Sequence, residues 1–302
     1  MIRTTLTYSA VFLTWILVAC TPPAETSNVE TSSAETSGME TSGMETSSED
    51  NVRLYVFDCG LIGAADISMF NLSNDETPVR ELFVPCYLIE HPQGRLIWDA
   101  GLPLAMAGQG RIEQEGGVYM NYERSLIDQL ADMGLEPADI ELAAFSHMHY
   151  DHVGAANAFT KSTLLIQGTE HAAAFKDGAN PYFQPDLYMD LKDSDMKILD
   201  GDHDVFGDGS VMIVSAPGHT PGHQVMLLRL ANTGPLLLSG DLYHFQMSRT
   251  LRRAPTFNTD AEETLRSMDK VEALIEAEGA TLWIEHEMAL AENLKMAPAY
   301  YD

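Results

Sequence analysis

The chain has 302 residues, and its 17 Lys and Arg against 45 Asp and Glu give a formal net charge of 17 − 45 = −28. That balance excludes the nucleic-acid-binding classes, which need a basic face. Setting aside the first 50 residues leaves 302 − 50 = 252, enough for one large domain with a full core.

Residues 1–20 read as an export signal. Arg3 supplies a positive start, and residues 10–19 (AVFLTWILVA) are apolar but too short to span a bilayer as a helix. Small residues run into Cys20, which resembles a bacterial lipoprotein signal with Cys20 as the lipidated end. Residues 21–50 hold six Glu and one Asp with no Lys or Arg, and from Glu25 they repeat in fives (ETSNV, ETSSA, ETSGM, ETSGM, ETSSE). Low hydrophobicity and uniform charge predict a disordered, self-repelling tether. The expected address is the cell envelope, periplasmic or cell-surface, with the membrane reached through the lipid anchor alone.

The remainder, 51–302, reads as one domain. Residues 53–57 and 84–90 are predicted strands, and 95–98 is the hairpin partner of the second across Gln93-Gly94. Cys59 and Cys86 lie in strand-like runs among apolar neighbours. Buried free thiols are expected there, although export would permit a disulfide. Residues 108–117, rich in Gly, predict a loop. Helices are predicted over 122–133, with Gly134 as C-cap, from Gly154 to Phe159, and over 259–278, where Leu265, Met268, Val271 and Ile275 form a core stripe capped by Thr259 or Asp260.

The chemistry-bearing segment is His147-Met148-His149-Tyr150-Asp151-His152. In extended backbone, side chains two apart share a face, so His147, His149 and Asp151 can point one way while His152 begins a second set. Imidazole and carboxylate are metal ligands, and one such loop can feed two adjacent ions. Four strand-like runs each deliver candidate ligands at their carboxyl ends. Residues 140–146 lead into His147. Residues 211–217 (VMIVSAP) end in Gly-His219-Thr-Pro-Gly-His223. Residues 235–239 (PLLLS) end in Gly240-Asp241, and 281–285 (TLWIE) end in His286. A shared sheet edge makes these groups plausible neighbours. His223 is one imidazole more than the ligand set needs, and is expected to support a ligand rather than be one. His171, in TEHAAAF, reads as a helix residue and not a ligand.

Together with SAPGHTPGHQ at 215–224 and VPCYLIEHPQGRLIWDAGLP at 84–103, these motifs resemble the metallo-β-lactamase superfamily, and within it the N-acyl homoserine lactonase group. The resemblance covers residues 51–290. It implies an α/β (α+β) fold, the four-layer αββα sandwich, with two zinc ions at one edge, manganese, iron or cobalt being compatible with the same ligands. His147, His149 and His219 would hold one ion, Asp151, His152 and His286 the other, and Asp241 would bridge them. The implied reaction is opening of a lactone ring by a hydroxide shared between the ions, with Asp151 passing a proton to the leaving alkoxide.

Two positions narrow the choice within the superfamily. His149 stands where electron-transferring di-iron members carry Glu. Asp241 stands where zinc β-lactamases carry Cys or no bridging carboxylate. One position departs from the lactonases, which have Tyr three residues after the bridging Asp. Here that residue is His244, with Tyr243 beside it, and either is a candidate donor to the developing oxyanion. The competing readings are an aryl-ester or phosphotriester hydrolase on the same core, and a non-catalytic metal-binding lipoprotein. No Gly-x-Ser-x-Gly elbow supports a serine hydrolase. Met69, Phe70, Met106, Tyr119, Met120, Phe175, Phe183, Tyr188 and Met247 are candidate walls of an apolar cleft for an acyl chain. Arg249, Arg252 and Arg253 either meet a carboxylate product or pair with surface acids, which is commoner.

Overall fold

A computed structural model describes residues 51–176 and 182–302. The signal and tether expectations fall outside the described residues. Strands are β1 (Arg53–Ala64), β2 (Glu81–His91), β3 (Gly94–Ala100), β4 (Ile112–Glu113), β5 (Val118–Asn121), β6 (Leu142–Ala144), β7 (Thr163–Gln167), β8 (Met196–Leu199), β9 (His203–Asp204), β10 (Val211–Ser215), β11 (Gln224–Leu230), β12 (Gly234–Leu238), β13 (Thr281–Trp283) and β14 (Tyr300–Tyr301). Helices are α1 (Leu126–Asp132), α2 (Gly168–Ala174), α3 (Gln246–Leu251), α4 (Ala261–Glu278) and α5 (Met288–Ala291). One sheet runs β4-β5-β1-β2-β3-β6-β7-β8 with β14 beside β1, and the other runs β13-β12-β11-β10-β9.

Strand periodicity explains how the two sheets stack. Successive side chains point to opposite faces, so an all-apolar strand buries both. Ile213, Leu228, Leu236 and Leu238 pack against Leu54, Val56, Tyr87, Ile89 and Trp98 of the first sheet. Their neighbours Val214, Leu227 and Leu237 face the other way, onto Met268 and Val271 of α4. On the outer side of the first sheet, Leu126 and Leu130 of α1 and Ala174 of α2 join a third cluster. The order is therefore helix, sheet, sheet, helix. The predicted stripe on α4 is the stripe that is buried, and Asp260 caps it, accepting from Glu263 N at 2.9 Å.

Several elements differ from expectation for local reasons. The helix predicted from 122 begins at Leu126. Ser125 Oγ accepts from Asp128 N at 3.1 Å as N-cap, and Tyr122 turns its hydroxyl inward to accept from Leu126 N at 2.6 Å. The helix expected from Gly154 is only a 3₁₀ turn, Ala156–Phe159. A Cβ on Gly154 would strike the Leu102 backbone, so this loop is pressed onto the segment after β3.

The two cysteines correct the expectation of free thiols. Cys59 and Cys86 form a disulfide, with Cα atoms 5.8 Å apart. Antiparallel pairing puts Phe57 opposite Cys86, and a bulge after Asp58 brings Cys59 alongside it. Both residues are fully buried. The closed loop spans a sequence separation of 27. Removing both thiols, in Cys59→Ala/Cys86→Ala, is expected to lower unfolding free energy by about 3 kcal/mol. Urea midpoints of the oxidised protein and the double variant will measure it.

Candidate metal centre

Every predicted ligand lies just past a strand end. His147, His149, Asp151 and His152 follow β6 of the first sheet. His219 follows β10, Asp241 follows β12 and His286 follows β13, all in the second sheet. The site therefore sits at the seam between the sheets. Two nests of donor atoms form there, His147, His149, His219 and Asp241 in one and Asp151, His152 and His286 in the other, each within 4.8 Å.

Asp241 joins them. Its Oδ2 lies 3.1 Å from His219 Nε2 and 3.6 Å from His147 Nε2, while its Oδ1 lies 2.8 Å from His286 Nε2 and 3.2 Å from His152 Nε2. One carboxylate thus offers one oxygen to each nest. In the first nest His219 Nε2 is 3.1 Å from both His147 Nε2 and His149 Nδ1. Three ring nitrogens aimed at one point suit a cation, since tetrahedral ligands at about 2.1 Å from zinc stand about 3.4 Å apart. His152 Nε2 and Asp241 Oδ1 are buried without a well-directed hydrogen bond, as fits atoms whose partner is an ion.

The far side of four of the five rings is fixed, His149 being the exception. His152 Nδ1 lies 2.8 Å from Asp99 Oδ2, His219 Nδ1 is 2.9 Å from Asn258 Oδ1, and His286 Nδ1 is 2.6 Å from Phe83 O. His147 Nδ1 lies 3.0 Å from Ser146 Oγ. Such partners orient ligating imidazoles and select their tautomers. His223 has the supporting role expected of it. Asp241 N donates to its Nε2 at 2.9 Å, so Nδ1 carries the proton to Ala216 O at 3.0 Å. Burial and neighbouring His219 lower the His223 pKa to about 3, which keeps it neutral.

The ionisation pattern separates the nests. Burial and the neighbouring imidazoles hold His147 and His149 well below the usual range, leaving lone pairs free. Burial opposes charge on His286 too, but Asp241 outweighs it and raises the pKa to about 9. Asp241 is kept ionised despite burial by His244, His152, His286 and His219.

Sequence reading gave no role to several buried carboxylates that set the ligand loops, Asp99 and Glu170 among them. Asp99 ends the β3 hairpin, where it accepts from Ser146 N at 2.6 Å as well as holding His152. Glu170 accepts from Met148 N at 2.9 Å through one oxygen and from Gly222 N at 2.8 Å through the other. It thereby ties the His147–His152 loop to the His219 loop. Its only signal was an acid on the buried face of a short helix beside His171.

The paired candidates Tyr243 and His244 are divided. Tyr243 is corrected, because its hydroxyl points away from the nests and donates to Glu272 at 2.8 Å, in a group with Arg249. His244 faces them, with Nε2 3.0 Å from Asp241 Oδ2. The one-residue offset decides this, since extended backbone at Tyr243 sends neighbouring side chains to opposite faces. The basic cluster proves to be surface pairing, Arg249 with Glu272, Arg252 with Asp269 and Arg253 with Glu76.

An apolar cleft opens onto the nests. Asp151, Asp241, His244 and His286 meet Ile62, Ala64, Met69, Phe70, Leu82, Val118 and Phe257 along its walls. Of the wall residues expected from sequence, Met69 and Phe70 are present. Tyr188 is instead fully buried in the outer core, and Phe175 and Met120 pack there.

The pattern of the metallo-beta-lactamase superfamily matches residues 79–276. The chain belongs to that superfamily. It is 31% identical over 83% of its length to an N-acyl homoserine lactonase AttM of Azorhizobium caulinodans, covering 99% of that relative. The N-acyl homoserine lactonase AiiA of Bacillus thuringiensis subsp. kurstaki is 28% identical, over 74% of this chain and 90% of its own. Among solved structures, an N-acyl homoserine lactone hydrolase with the product N-hexanoyl-L-homoserine at its catalytic metal center superposes with a TM-score of 0.71 at 25% identity. It covers 82% of this chain and 98% of its own. The superfamily fold expected from the motifs is the fold observed.

Glu170→Gln would set an amide donor against a backbone N–H in a buried site. The variant is expected to fold yet bind zinc about 10–100-fold more weakly. Competition with a chromogenic chelator will measure the shift.

Proposed function

We propose that this protein is a dinuclear zinc hydrolase that opens lactone rings, with N-acyl homoserine lactones as its substrates. The observation that carries the reading is Asp241, whose two oxygens serve two imidazole nests at the floor of an apolar cleft. Homology to proteins named N-acyl homoserine lactonase supports the substrate class.

His147, His149 and His219 would hold one ion, Asp151, His152 and His286 the other, with Asp241 between. Such a pair supplies hydroxide at neutral pH and polarises a carbonyl. The protein's own groups do the rest. Apolar walls exclude water and take the acyl chain, leaving the ring ester over the nests. Asp151, half-buried at the cleft, is positioned to receive a proton and deliver it to the alkoxide as the ring opens. His244, held between Phe70 and Asp241, can donate to the carbonyl oxygen as it gains charge.

Metal-loaded protein is expected to hydrolyse acyl homoserine lactones in preference to aryl esters and phosphotriesters, and to lose activity on chelation. Strong turnover of another class with the lactones untouched would reject the substrate assignment. His244→Phe is expected to reduce kcat by about 10²-fold while Tyr243→Phe keeps it. Equal losses would remove His244 from the role.

We further propose that the chain is exported and lipid-anchored at Cys20, with residues 21–50 as the tether. The apolar run ending in Cys20 and the Cys59–Cys86 disulfide support this, since disulfides persist in oxidising compartments. Wild-type protein expressed in bacteria is expected in the membrane fraction and to incorporate labelled palmitate, whereas Cys20→Ala should be soluble and unlabelled. Labelling that survives Cys20→Ala would overturn the anchor.

A further inference from the structure

Beyond the bulge at Asp58, β1 leaves the inter-sheet core. Val52, Leu54 and Val56 contribute to that core, and no later β1 residue does. The remaining stretch, with the ends of β2 and β5, forms a three-stranded ledge. Leu61, Ile62, Gly63 and Ala64 pair with Asn121, Met120, Tyr119 and Val118 on one side, and Leu61, Ile62 and Gly63 with Phe83, Leu82 and Glu81 on the other. One face of the ledge is the cleft wall of Ile62, Ala64, Leu82 and Val118, none of which carries a polar side-chain atom.

The ledge starts at the metal centre and runs away from it. Phe83 O touches His286 Nδ1 at 2.6 Å, and Phe83 pairs with Leu61. Ala64 and Val118 lie three residues farther along, about 10 Å at strand rise. A short acyl chain ends before them, and a long one reaches them.

Among the described residues no ledge side chain joins the inter-sheet core, and a side-chain brace covers the face opposite the cleft instead. Glu81, Gly63 and Tyr119 stand in one cross-strand row. The Tyr119 ring lies over Gly63, where any Cβ would fall inside the ring, and its hydroxyl donates to Glu81 on the far strand. Arg111 lies over the ring, its guanidinium carbon 3.4 Å from the centroid, and pairs with Glu113. One side chain thus spans three strands. Glycine is required at 63 because the brace passes through the space a side chain would occupy.

We propose that Tyr119 is a positioning residue for the acyl tail, fixing from outside the wall that long tails reach. This rests on the lactonase reading above. Tyr119 is outside both the cleft lining and the two nests, so its effect depends on tail length and appears in KM.

The test is steady-state kinetics of the full, metal-loaded chain on homoserine lactones with butanoyl, hexanoyl, octanoyl and decanoyl tails. Tyr119→Ala and Gly63→Ala are expected to raise KM for the decanoyl substrate by up to about tenfold, with kcat retained and butanoyl kinetics little changed. Tyr119→Phe keeps the ring and loses the bond, and should fall between. Glu81→Gln keeps an acceptor for the hydroxyl and should rescue wild-type values. A KM change equal for every tail, a fall in kcat alone, or no change in Tyr119→Ala would overturn the proposal. Butanoyl turnover checks folding within each variant. Wild-type protein inert on every lactone would reject the lactonase reading and this inference with it, whereas an active wild type with tail-independent variants rejects this inference alone.

Discussion

Everything at the seam depends on one buried carboxylate. Asp241 is nearly inaccessible to solvent and lies within 3.6 Å of His147, His152, His219, His244 and His286. An isolated buried anion would be expelled or neutralised. Here positive charge must gather on both oxygens, from imidazolium protons or from cations. The protein has arranged its imidazoles so that a cation on each side is the natural partner. Metal binding at the His286 side would then be coupled to proton release, because Asp241 raises the pKa of that imidazole to about 9 against the cost of burial.

The ligands hold their places because atoms behind them are also committed. Glu170 takes one N–H from each of two loops, Asp99 takes one N–H and one ring nitrogen, and His223 accepts from the backbone of Asp241 itself. These are buried, charge-assisted or fully paired contacts in a low-dielectric interior, where such bonds are strong and their loss is costly. Each ligand loop is thereby tied to groups behind it, and the apolar wall carries a brace on the face away from the cleft.

The candidate ligand set was legible because metal chemistry restricts residue type and spacing tightly. The His-x-His-x-Asp-His run and the three strand-end groups converge as their positions implied. The four layers followed from the same motifs, and strand periodicity then explains which face of each strand meets which layer. Less legible were contacts formed across the fold. Nothing near Glu170 in sequence announces that two loops will meet there. Cys59 and Cys86 become neighbours only through strand register and a bulge whose local mark is Gly60, at φ 132°. The choice between Tyr243 and His244 turned on the backbone at a single residue. Tyr119 read as a loop residue that could line the cleft, yet it lies in β5, and strand alternation turns it to the face opposite the cleft.

The division of ligands between the sheets has a mechanical consequence. The loop after β6 supplies two members of each nest, and the segments after β10, β12 and β13 supply the rest. Any ion seated in either nest therefore clasps two slabs of backbone that at this edge are also joined by the Glu170 bridge and the His286–Phe83 contact. Occupancy would serve as a rivet in the architecture as well as a reagent, so that the demetallated form is the softer material and the open rim of the sandwich the first place to part.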